Sequence, residues 1–334
     1  MRRETVDLLV CTDCGGPLLL QVHEWKEGEV VRGILNCTCG SSHPILKGIP
    51  RFIRTFNMEK RVKETVESFG FEWSRYRVRN EQENLRTFFR ETLYSSEEIK
   101  GKLVLDAGRG SGRYSRAAAA VGARVFGFDA SISVEKAKEM SGGFPVEYIQ
   151  ADLFNPPFRH GSFDYIFSLG VLHHTKSPLG VLRRLYPLLR SGGAISFWVY
   201  GRTGSFTEFK EAFPCRLKGF RLGLFLLLRI RELNSEIVRK ITTNIPDKIL
   251  YLLSYLSIPF GRIRIINAVL PVSTHPNPYV RVNDTFDWYA PKIQSHHTKR
   301  EVFGWCQKVQ LKVVGWISVG LVPKFGVRAE KRQS

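Results

Sequence analysis

The sequence predicts an α/β fold built around a nucleotide-binding unit, with a small cysteine-rich domain in front of it. Three observations lead to this prediction. A buried strand, a glycine loop, a helix and a second strand ending in an acid follow one another over residues 102–131. Four of the six cysteines form two close pairs near the start of the chain. An apolar and basic segment over residues 201–285 has helical spacing.

Composition places the chain among globular proteins and suggests a polyanionic partner. With 334 residues, of which 43% are hydrophobic and 24% charged, the chain can bury an ample core. The net charge of +19 favours RNA, acidic lipid headgroups or phosphorylated small molecules as partners. The same charge can also serve solubility alone. The sequence leaves the oligomeric state open.

The N-terminal segment and the cysteine distribution predict a cytoplasmic protein. MRRETVDLLVCTDC lacks the long apolar run of a signal peptide. Cys215 and Cys306 stand alone, which is not the pattern of a fold held by disulfides. A peripheral position at the inner face of the membrane is a second expectation.

Two close cysteine pairs in the first 56 residues, each forming the tight turn called a zinc knuckle, predict a zinc ribbon. Close cysteine pairs separated by a strand-like stretch can supply four thiolates to one tetrahedral zinc ion. Gly15, Gly16 and Gly40 follow the pairs, where tight turns need a positive φ. The predicted ligands are Cys11, Cys14, Cys37 and Cys39.

The same segment resembles a known ribbon. CTDCGGPLLL, followed by LNCTCGSSHPILKGIPRFI, is similar to the small activator subunit of tRNA and protein methyltransferases. The resemblance covers residues 6–54 and implies a structural or docking role without catalysis. We expect metal removal to loosen residues 1–54 while the rest of the chain stays folded.

Residues 102–131 carry the strongest functional signal. We predict a strand over Leu103–Leu105, a helix from about Arg113, and a second strand over Arg124–Phe128 that ends in Asp129. An acid in this position can accept hydrogen bonds from ribose hydroxyls. The loop before the helix has three glycines that let a ligand approach the backbone: Gly108, Gly110 and Gly112.

Further features favour S-adenosylmethionine over a nicotinamide dinucleotide as the ligand. Asp106 ends the first strand, where dinucleotide loops usually lack an acid. A third strand, Val146–Ile149, is followed by Asp152, which we place beside the amino group of adenine. A fourth strand, Phe163–Ser168, leads into SLGVLHHTKSP, and we place Ser168 in the cofactor site.

This series resembles the class I S-adenosylmethionine-dependent methyltransferases, in particular the quinone-biosynthesis, type 11, subgroup. The resemblance covers residues 101–200, resumes at 286–316, and implies a Rossmann-like seven-stranded sheet in the order 3-2-1-4-5-7-6 with strand 7 antiparallel. The last strand is expected at about Lys324–Glu330. Arg109 departs from the pattern, which has a small residue or cysteine there, and could clash with the methionine end of the cofactor or bind it.

The tetrapeptide Asn155–Phe158 looks like the signature of enzymes that methylate amino groups. In those enzymes the signature follows the fourth strand, whereas here it precedes that strand. We therefore interpret it as a turn initiated by asparagine.

Two histidines follow the fourth strand at the position expected to carry catalysis. His173 and His174 could accept a proton from a hydroxyl or an acidic carbon, and we prefer His174 because the second histidine of the resembled family more often faces the cleft. Either could instead cap the next helix. Weaker candidates lie near residue 290: Tyr289, His296 and His297.

Two further segments could shape a substrate pocket. Phe69, Trp73 and Tyr76 have helical spacing, so they either cover the cofactor or form the inner face of a packed helix. In the insertion, helices are predicted over residues 217–233 and 247–270. Arginines flank their apolar runs, which suits either an anionic membrane surface or a lid over an apolar substrate.

These observations predict five regions and three candidate functions. The regions are a zinc ribbon (1–56), a helical connector (57–100), a cofactor-binding core (101–200), a helical insertion between strands 5 and 6 (201–285) and the remainder of the core (286–334). The leading function is methyl transfer to an O or C atom of a small, lipid-like or cell-envelope molecule. The alternatives are an RNA methyltransferase that uses the ribbon and basic surface, and a non-catalytic partner-binding protein in which Arg109 blocks the cofactor.

Overall fold

Two β-sheets organise the chain. The computed structural model describes residues 1–53, 58–212, 220–318 and 324–332. Cys215 and the start of the predicted 217–233 helix lie outside these described residues. Within them the chain forms one four-stranded and one seven-stranded sheet.

The small sheet is antiparallel, with its strands in sequence order. A two-residue turn joins its first two strands, and both turn residues, Glu27 and Gly28, have a positive φ (50° and 79°). A 3-10 helix at Arg3–Leu8 precedes this sheet. Its strands are β1 (Leu18–Lys26), β2 (Glu29–Cys37), β3 (Ser42–Leu46) and β4 (Ile49–Pro50).

The large sheet has the strand order β7-β6-β5-β8-β9-β11-β10, in which β11 is antiparallel to β9 and to β10. Numbered from β5, this is 3-2-1-4-5-7-6, so the predicted order is confirmed. The central strand β5 is buried along its whole length, as expected for a parallel strand covered on both faces. The strands are β5 (Leu103–Ala107), β6 (Arg124–Asp129), β7 (Val146–Gln150), β8 (Phe163–Leu169), β9 (Leu189–Tyr200), β10 (Leu311–Ser318) and β11 (Lys324–Lys331).

Helices flank this sheet and fill the insertion. The charged stretch 58–95 forms two helices and a third follows it directly, because the side chains of Asn80 and Ser95 cap new N-termini. The helices are α1 (Lys60–Arg75), α2 (Glu81–Thr92), α3 (Ser96–Ile99), α4 (Arg113–Ala120), α5 (Ser133–Glu139), α6 (Pro178–Leu185), α7 (Phe206–Ala212), α8 (Arg221–Thr242), α9 (Asp247–Ser254), α10 (Ser257–Phe260), α11 (Arg264–Val269), α12 (Pro278–Tyr289) and α13 (Lys299–Lys308).

The insertion differs from the predicted pair of helices. Helix α8 continues to Thr242, well past the predicted end at 233, because Ser235 faces inward and Asn234 donates to the Val269 carbonyl. The predicted helix 247–270 is divided into α9, α10 and α11. Among the described residues, no helix is long and apolar enough to cross a bilayer.

The N-terminal sheet is docked on the core through Asn155–Phe158. Leu9 pairs with Phe158 in an antiparallel bridge, and Val10 N–H donates to the Pro157 carbonyl at 3.1 Å. The side-chain amide of Asn155 donates to the Thr12 carbonyl at 2.9 Å. The tetrapeptide therefore lies between β7 and β8, where it contacts the first cysteine knuckle.

Candidate functional site

The four N-terminal cysteines converge at one point. Their Sγ atoms all lie within 4.8 Å of one another. Two of the separations are 3.7 Å, from Cys11 to Cys39, and 3.4 Å, from Cys14 to Cys37. Zinc–sulfur bonds of about 2.3 Å in a tetrahedron place the sulfurs about 3.8 Å apart. The cluster therefore fits a structural zinc ion.

Backbone amides support these sulfurs. The amide of Asp13 donates to Cys11 Sγ at 3.4 Å, and that of Gly16 donates to Cys14 Sγ at 3.3 Å. Gly15 and Gly40 have the predicted positive φ, of 74° and 92°. Gly16 does not, so that prediction was wrong. A Cβ there would lie 3.2 Å from Cys14 Sγ, and Gly16 is needed for space instead.

The side chains of Val171 and Trp73 pack closely on the glycine loop between β5 and α4. Gly108, Gly110 and Gly112 have φ of 86°, 50° and 72°. A Cβ on Gly108 would lie 2.3 Å from Val171 Cγ1, and one on Gly110 would lie 3.0 Å from the indole of Trp73. Side chains at these positions would overlap Val171 or Trp73, so both positions need glycine for space as well as for their positive φ.

Two predicted acids stand beside this loop and line the same cavity. Asp106 accepts from the Ser115 hydroxyl at 2.5 Å, and burial raises its pKa to about 7. Asp129 accepts from the Gly110 amide at 3.0 Å and from Ser131 at 2.8 Å. The Asp129 carboxylate thus holds the loop and is available to a ligand in the cavity.

Two other predicted cofactor contacts lie elsewhere. The Ser168 hydroxyl donates to the Ala107 carbonyl at 2.8 Å and is fully buried. Asp152 accepts from the Phe154 amide at 2.9 Å and initiates the turn that follows β7. Neither side chain lines the cavity in the part of the chain that the structure describes. Their assignment to the cofactor stays a prediction.

Arg109 is a cavity residue whose side chain extends towards the sheet. A Cβ on Gly127 of β6 would lie 2.8 Å from Arg109 Cδ, and the guanidinium carbon lies 4.0 Å from the ring centroid of Tyr148. Tyr148 is not a cavity residue. The charged end of Arg109 therefore packs against β7. It makes no hydrogen bond to any residue that the structure describes.

A cavity of about 510 Å³ joins the glycine loop to the ends of β8 and β9. Its walls come from α1, α2, α8 and α12, together with the loop that follows α12. Phe69, Trp73 and Tyr76 all line it, so the aromatic face of α1 covers the cavity rather than only packing into a core. A volume of this size suits a cofactor and a small acceptor.

The two histidines have different surroundings. His174 lines the cavity, and its Nδ1 lies 3.0 Å from the Ile293 carbonyl oxygen, which can only accept, so Nδ1 carries the proton. Its Nε2 has no partner among the described residues. Burial lowers the pKa of His174 to about 3. His173 is fully buried, with its ring 3.9 Å from that of Tyr200, and it is not a cavity residue.

The segment after α12 closes over these rings. Ser295 N–H donates to the His173 carbonyl at 2.8 Å, and the ring of His296 stacks on Tyr200 at 5.8 Å and lines the cavity. His297 instead pairs with the Ser295 hydroxyl, and Tyr289 donates to the Pro271 carbonyl. Of the three weaker candidates, only His296 is a cavity residue.

An acidic cluster that the sequence analysis missed forms the far wall of the cavity. The Tyr200 hydroxyl donates to Asp287 Oδ2 at 2.9 Å. Burial raises the pKa of Asp287 to about 7, and the nearby Asp284 adds to the effect. Glu72 is 1% exposed and accepts from the Asn283 amide at 2.9 Å, and burial raises its pKa well above the ordinary range.

Part of this cluster has a sequence signal. Tyr200 is the last residue of β9, which runs parallel to β8, and ligands of such sheets bind at the carboxyl ends of the parallel strands. Asp284 and Asp287 lie one helical turn apart, on one face of α12. Nothing in the sequence links them to Tyr200 or to Glu72 of α1, since those contacts span 87 residues or more.

Comparison with known proteins identifies the central part of the chain. The family described as a methyltransferase domain matches residues 105–197. The ubiquinone biosynthesis O-methyltransferase of Escherichia coli O7:K1 is 32% identical over 108 residues, which are 31% of this chain and 45% of that protein. The same enzyme of Shigella boydii serotype 18 matches equally. The chain thus spans less than half the length of these curated relatives.

Solved structures resemble the chain at low identity. A chain from the complex between the Haloferax volcanii Trm112 methyltransferase activator and a methyltransferase aligns with a TM-score of 0.47 and 12% identity, covering 81% of this chain and 98% of that one. Magnesium protoporphyrin IX methyltransferase from Synechocystis PCC 6803 aligns with a TM-score of 0.45 and 13% identity, covering 82% and 99%.

Proposed function

We propose that this chain, whose residues 105–197 form a methyltransferase domain, binds S-adenosylmethionine and methylates an O or C atom of a small molecule. The observation that carries the proposal is the single cavity that joins the glycine loop to the Tyr200–Asp287 pair. When bound, S-adenosylmethionine supplies an electrophilic methyl group whose transfer requires no metal ion. The Escherichia coli relative is an O-methyltransferase, which supports an oxygen acceptor.

The residues at the loop fit this cofactor. Gly108 and Gly110 line the cavity, and only glycine fits beneath Val171 and Trp73, since a Cβ at either position would overlap one of these side chains. Asp129 stands at the end of β6, where ribose hydroxyls can donate to it. We assign Asp106 and Gly112 to the same site because they hold the loop in its conformation.

Asp287 is the residue we assign to proton removal from the acceptor. A general base works best when its pKa lies near the working pH, and the pKa of Asp287 is about 7. His174, with a pKa of about 3, is a weak base. Its unprotonated Nε2 can accept a hydrogen bond from a second N–H or O–H group of the acceptor, so we assign His174 to acceptor orientation. His173 supports the ring stack beside it.

The acceptor is small, and we favour a lipid-like or cell-envelope molecule. The cavity is roofed by the aromatic residues Phe69, Trp73 and Tyr76 and by α8, which contributes Leu228 together with Arg231, Glu232 and Ser235. Calorimetry with S-adenosylhomocysteine tests the cofactor site, and absence of binding at sub-millimolar concentration would contradict the enzymatic function. Cell extract supplied with an isotopically labelled methyl donor would then identify the acceptor.

RNA remains the alternative acceptor, because the net charge of +19 favours polyanions. Binding to bulk RNA with a steep dependence on salt, together with label in RNA rather than in small molecules, would replace the small-molecule acceptor. Label in a small organic-soluble product would support it.

A further inference from the structure

Helix α8 has its apolar side turned to solvent. Its large aliphatic residues recur every three or four positions along the 22-residue helix, which places them in one stripe. Each is 50% or more exposed: Leu222, Leu226, Ile230, Leu233, Ile237 and Ile241. We call these six residues the α8 stripe. A surface helix of a globular protein normally buries such a stripe.

The opposite side of α8 carries polar side chains that form hydrogen bonds with other segments of the protein. Glu232 accepts from the Thr203 amide at 2.7 Å. Arg239 donates to the carbonyls of Trp288 and Pro291 at 2.6 and 2.7 Å. Ser235 is 8% exposed. The polar side is therefore fixed inward by specific bonds, and the helix cannot rotate its apolar stripe into the core.

The neighbouring helices extend this apolar surface. Helix α11 lies alongside α8, where Arg231 Nε donates to the Asn267 carbonyl at 3.1 Å. At α11, Ile265 is 79% exposed and Val269 39%. At α9, Ile249 and Leu252 are 52% and 69% exposed. Exposed apolar surface on this scale marks an interaction site rather than ordinary scatter.

Charge distinguishes between the partners that could cover this surface. Basic residues outnumber acidic ones over 220–270, where Glu232, Glu236 and Asp247 are the only acids. Two copies of the chain packed through this surface would bring like charges together. RNA phosphates would pair with the basic side chains, but RNA would leave the aliphatic side chains exposed to water. The basic residues are Arg221, Arg229, Arg231, Arg239, Lys240, Lys248, Arg262 and Arg264.

We propose that α8, together with α9 and α11, lies in the surface of a lipid bilayer that contains anionic lipids. The aliphatic stripe would enter the boundary between headgroups and acyl chains, while the exposed basic residues Arg229, Lys240, Lys248 and Arg262 contact lipid phosphates. Leu228, Arg231 and Glu232 on the other side of α8 line the cavity. The cavity is then one helix diameter, about 10 Å, from the bilayer. The proposal does not depend on methyl transfer.

The test is co-sedimentation of the full chain with vesicles. Phosphatidylcholine vesicles that contain phosphatidylglycerol are compared with vesicles of phosphatidylcholine alone. The chain is expected to bind the former and to be released by salt. Ile230→Ser combined with Ile237→Ser should weaken binding about tenfold or more, because two exposed aliphatic anchors are removed without a change of charge.

A matched pair outside the insertion serves as control. Phe303 of α13 and Val314 of β10 are each 43% exposed, and their double replacement by Ser should leave vesicle binding unchanged. Circular dichroism verifies that all variants are folded. The proposal is overturned if the chain fails to bind anionic vesicles. It is also overturned if the α8 double variant and the control double variant lose vesicle binding equally. Sedimentation velocity without lipid that shows a dimer dissociated by the α8 substitutions overturns it as well, since a second copy would then be the partner.

Discussion

Asp287 and His174 show how burial can assign different tasks to two titratable side chains in one cavity. Both lose hydration, but the loss raises the pKa of a carboxyl group and lowers that of an imidazole. Asp287 therefore reaches a pKa of about 7, while His174 falls to about 3. At neutral pH the carboxylate is the better-matched proton acceptor, and the imidazole stays neutral.

This difference predicts the pH profile of methyl transfer. With the acceptor found by labelling, kcat/KM should rise as pH increases through about 7, because Asp287 must be ionised to accept a proton, and level off above it. His174 is neutral throughout and adds no inflection above about pH 5. Asp287→Asn should lower kcat by about 10²–10⁴-fold. A flat profile would contradict the assignment.

The Tyr200 hydroxyl allows a separate test of whether Asp287 sets the midpoint of the pH profile. Its hydrogen bond stabilises the ionised form of Asp287, so Tyr200→Phe should move the midpoint of the profile to higher pH. Tyr289→Phe is the matched control, because Tyr289 does not line the cavity and its hydroxyl donates to the Pro271 carbonyl instead of to Asp287. An unchanged midpoint in Tyr200→Phe would show that Asp287 does not set the profile.

Asp129 and Asp152 were both predicted to bind the cofactor, and their surroundings now separate them. Asp129→Ala should weaken S-adenosylhomocysteine binding by about tenfold or more, because ribose hydroxyls lose an acceptor and the loop loses its bond to Gly110. Asp152→Ala should have a much smaller effect, since its carboxylate caps a turn. Calorimetry measures both. Equal losses would favour the original placement of Asp152.

Among the structural elements, the glycine loop has a steric requirement that can be measured separately from its backbone conformation. Gly108 and Gly143 have nearly the same φ, 86° and 84°. A Cβ on Gly108 would lie 2.3 Å from Val171, whereas one on Gly143 would have no atom within 4 Å. A side chain would therefore cost the same backbone strain at both positions. Only at Gly108 would it also overlap another side chain, that of Val171.

Alanine at each position separates the two costs. Gly143→Ala should lower the free energy of unfolding by about 1 kcal/mol, from backbone conformation alone. Gly108→Ala should lower it by about 2 kcal/mol more and should also weaken cofactor binding, because the methyl group displaces Val171. Adding Val171→Ala should recover part of that difference. Denaturant unfolding measures these values, and similar losses at both glycines would exclude a steric role.

In the whole molecule, the ribbon and the core form one hydrophobic unit. Buried residues of both belong to one cluster, which includes Leu35 and Ile45 from the ribbon and Phe126 and Phe158 from the core. Phe52 N–H donates to the Gln150 carbonyl at 2.8 Å, so the segment after β4 covers the edge strand β7. Ion pairs to α5 add to this, from Arg51 to Glu135 and from Glu29 to Lys138.

Metal removal should therefore affect more than the ribbon. We expect chelation, or Cys14→Ser, to lower the Tm of the whole chain by about 5 °C or more, with faster hydrogen exchange in β7 as well as in residues 1–53. The control variant Cys306→Ser changes a cysteine outside the group of four N-terminal cysteines, so it should keep its zinc by elemental analysis. Loosening confined to the ribbon would show that the two parts are independent, as the sequence alone suggested.

The elements of the core could be predicted from sequence because their signals are local. Strand β5, the glycine loop, α4 and β6 follow one another with their residues in the expected order, and all were placed within two residues of their observed bounds. The turn at Asn155–Phe158 could be assigned by counting strands. Helices in the insertion were placed less well, because Pro259 and Gly261 interrupt one segment and inward polar contacts extend the other.

The sequence by itself determined the sheet, the cofactor loop and the cysteine cluster, because each depends on residues close together in the chain or on a recurrent order of strands. Only the tertiary structure brought Tyr200, Asp287 and Glu72 to one wall, placed Arg109 against Tyr148, and turned the apolar side of α8 outward. These features depend on contacts between distant segments, on which burial and pKa both depend. Periodicity identifies an apolar stripe, but packing decides which way it faces.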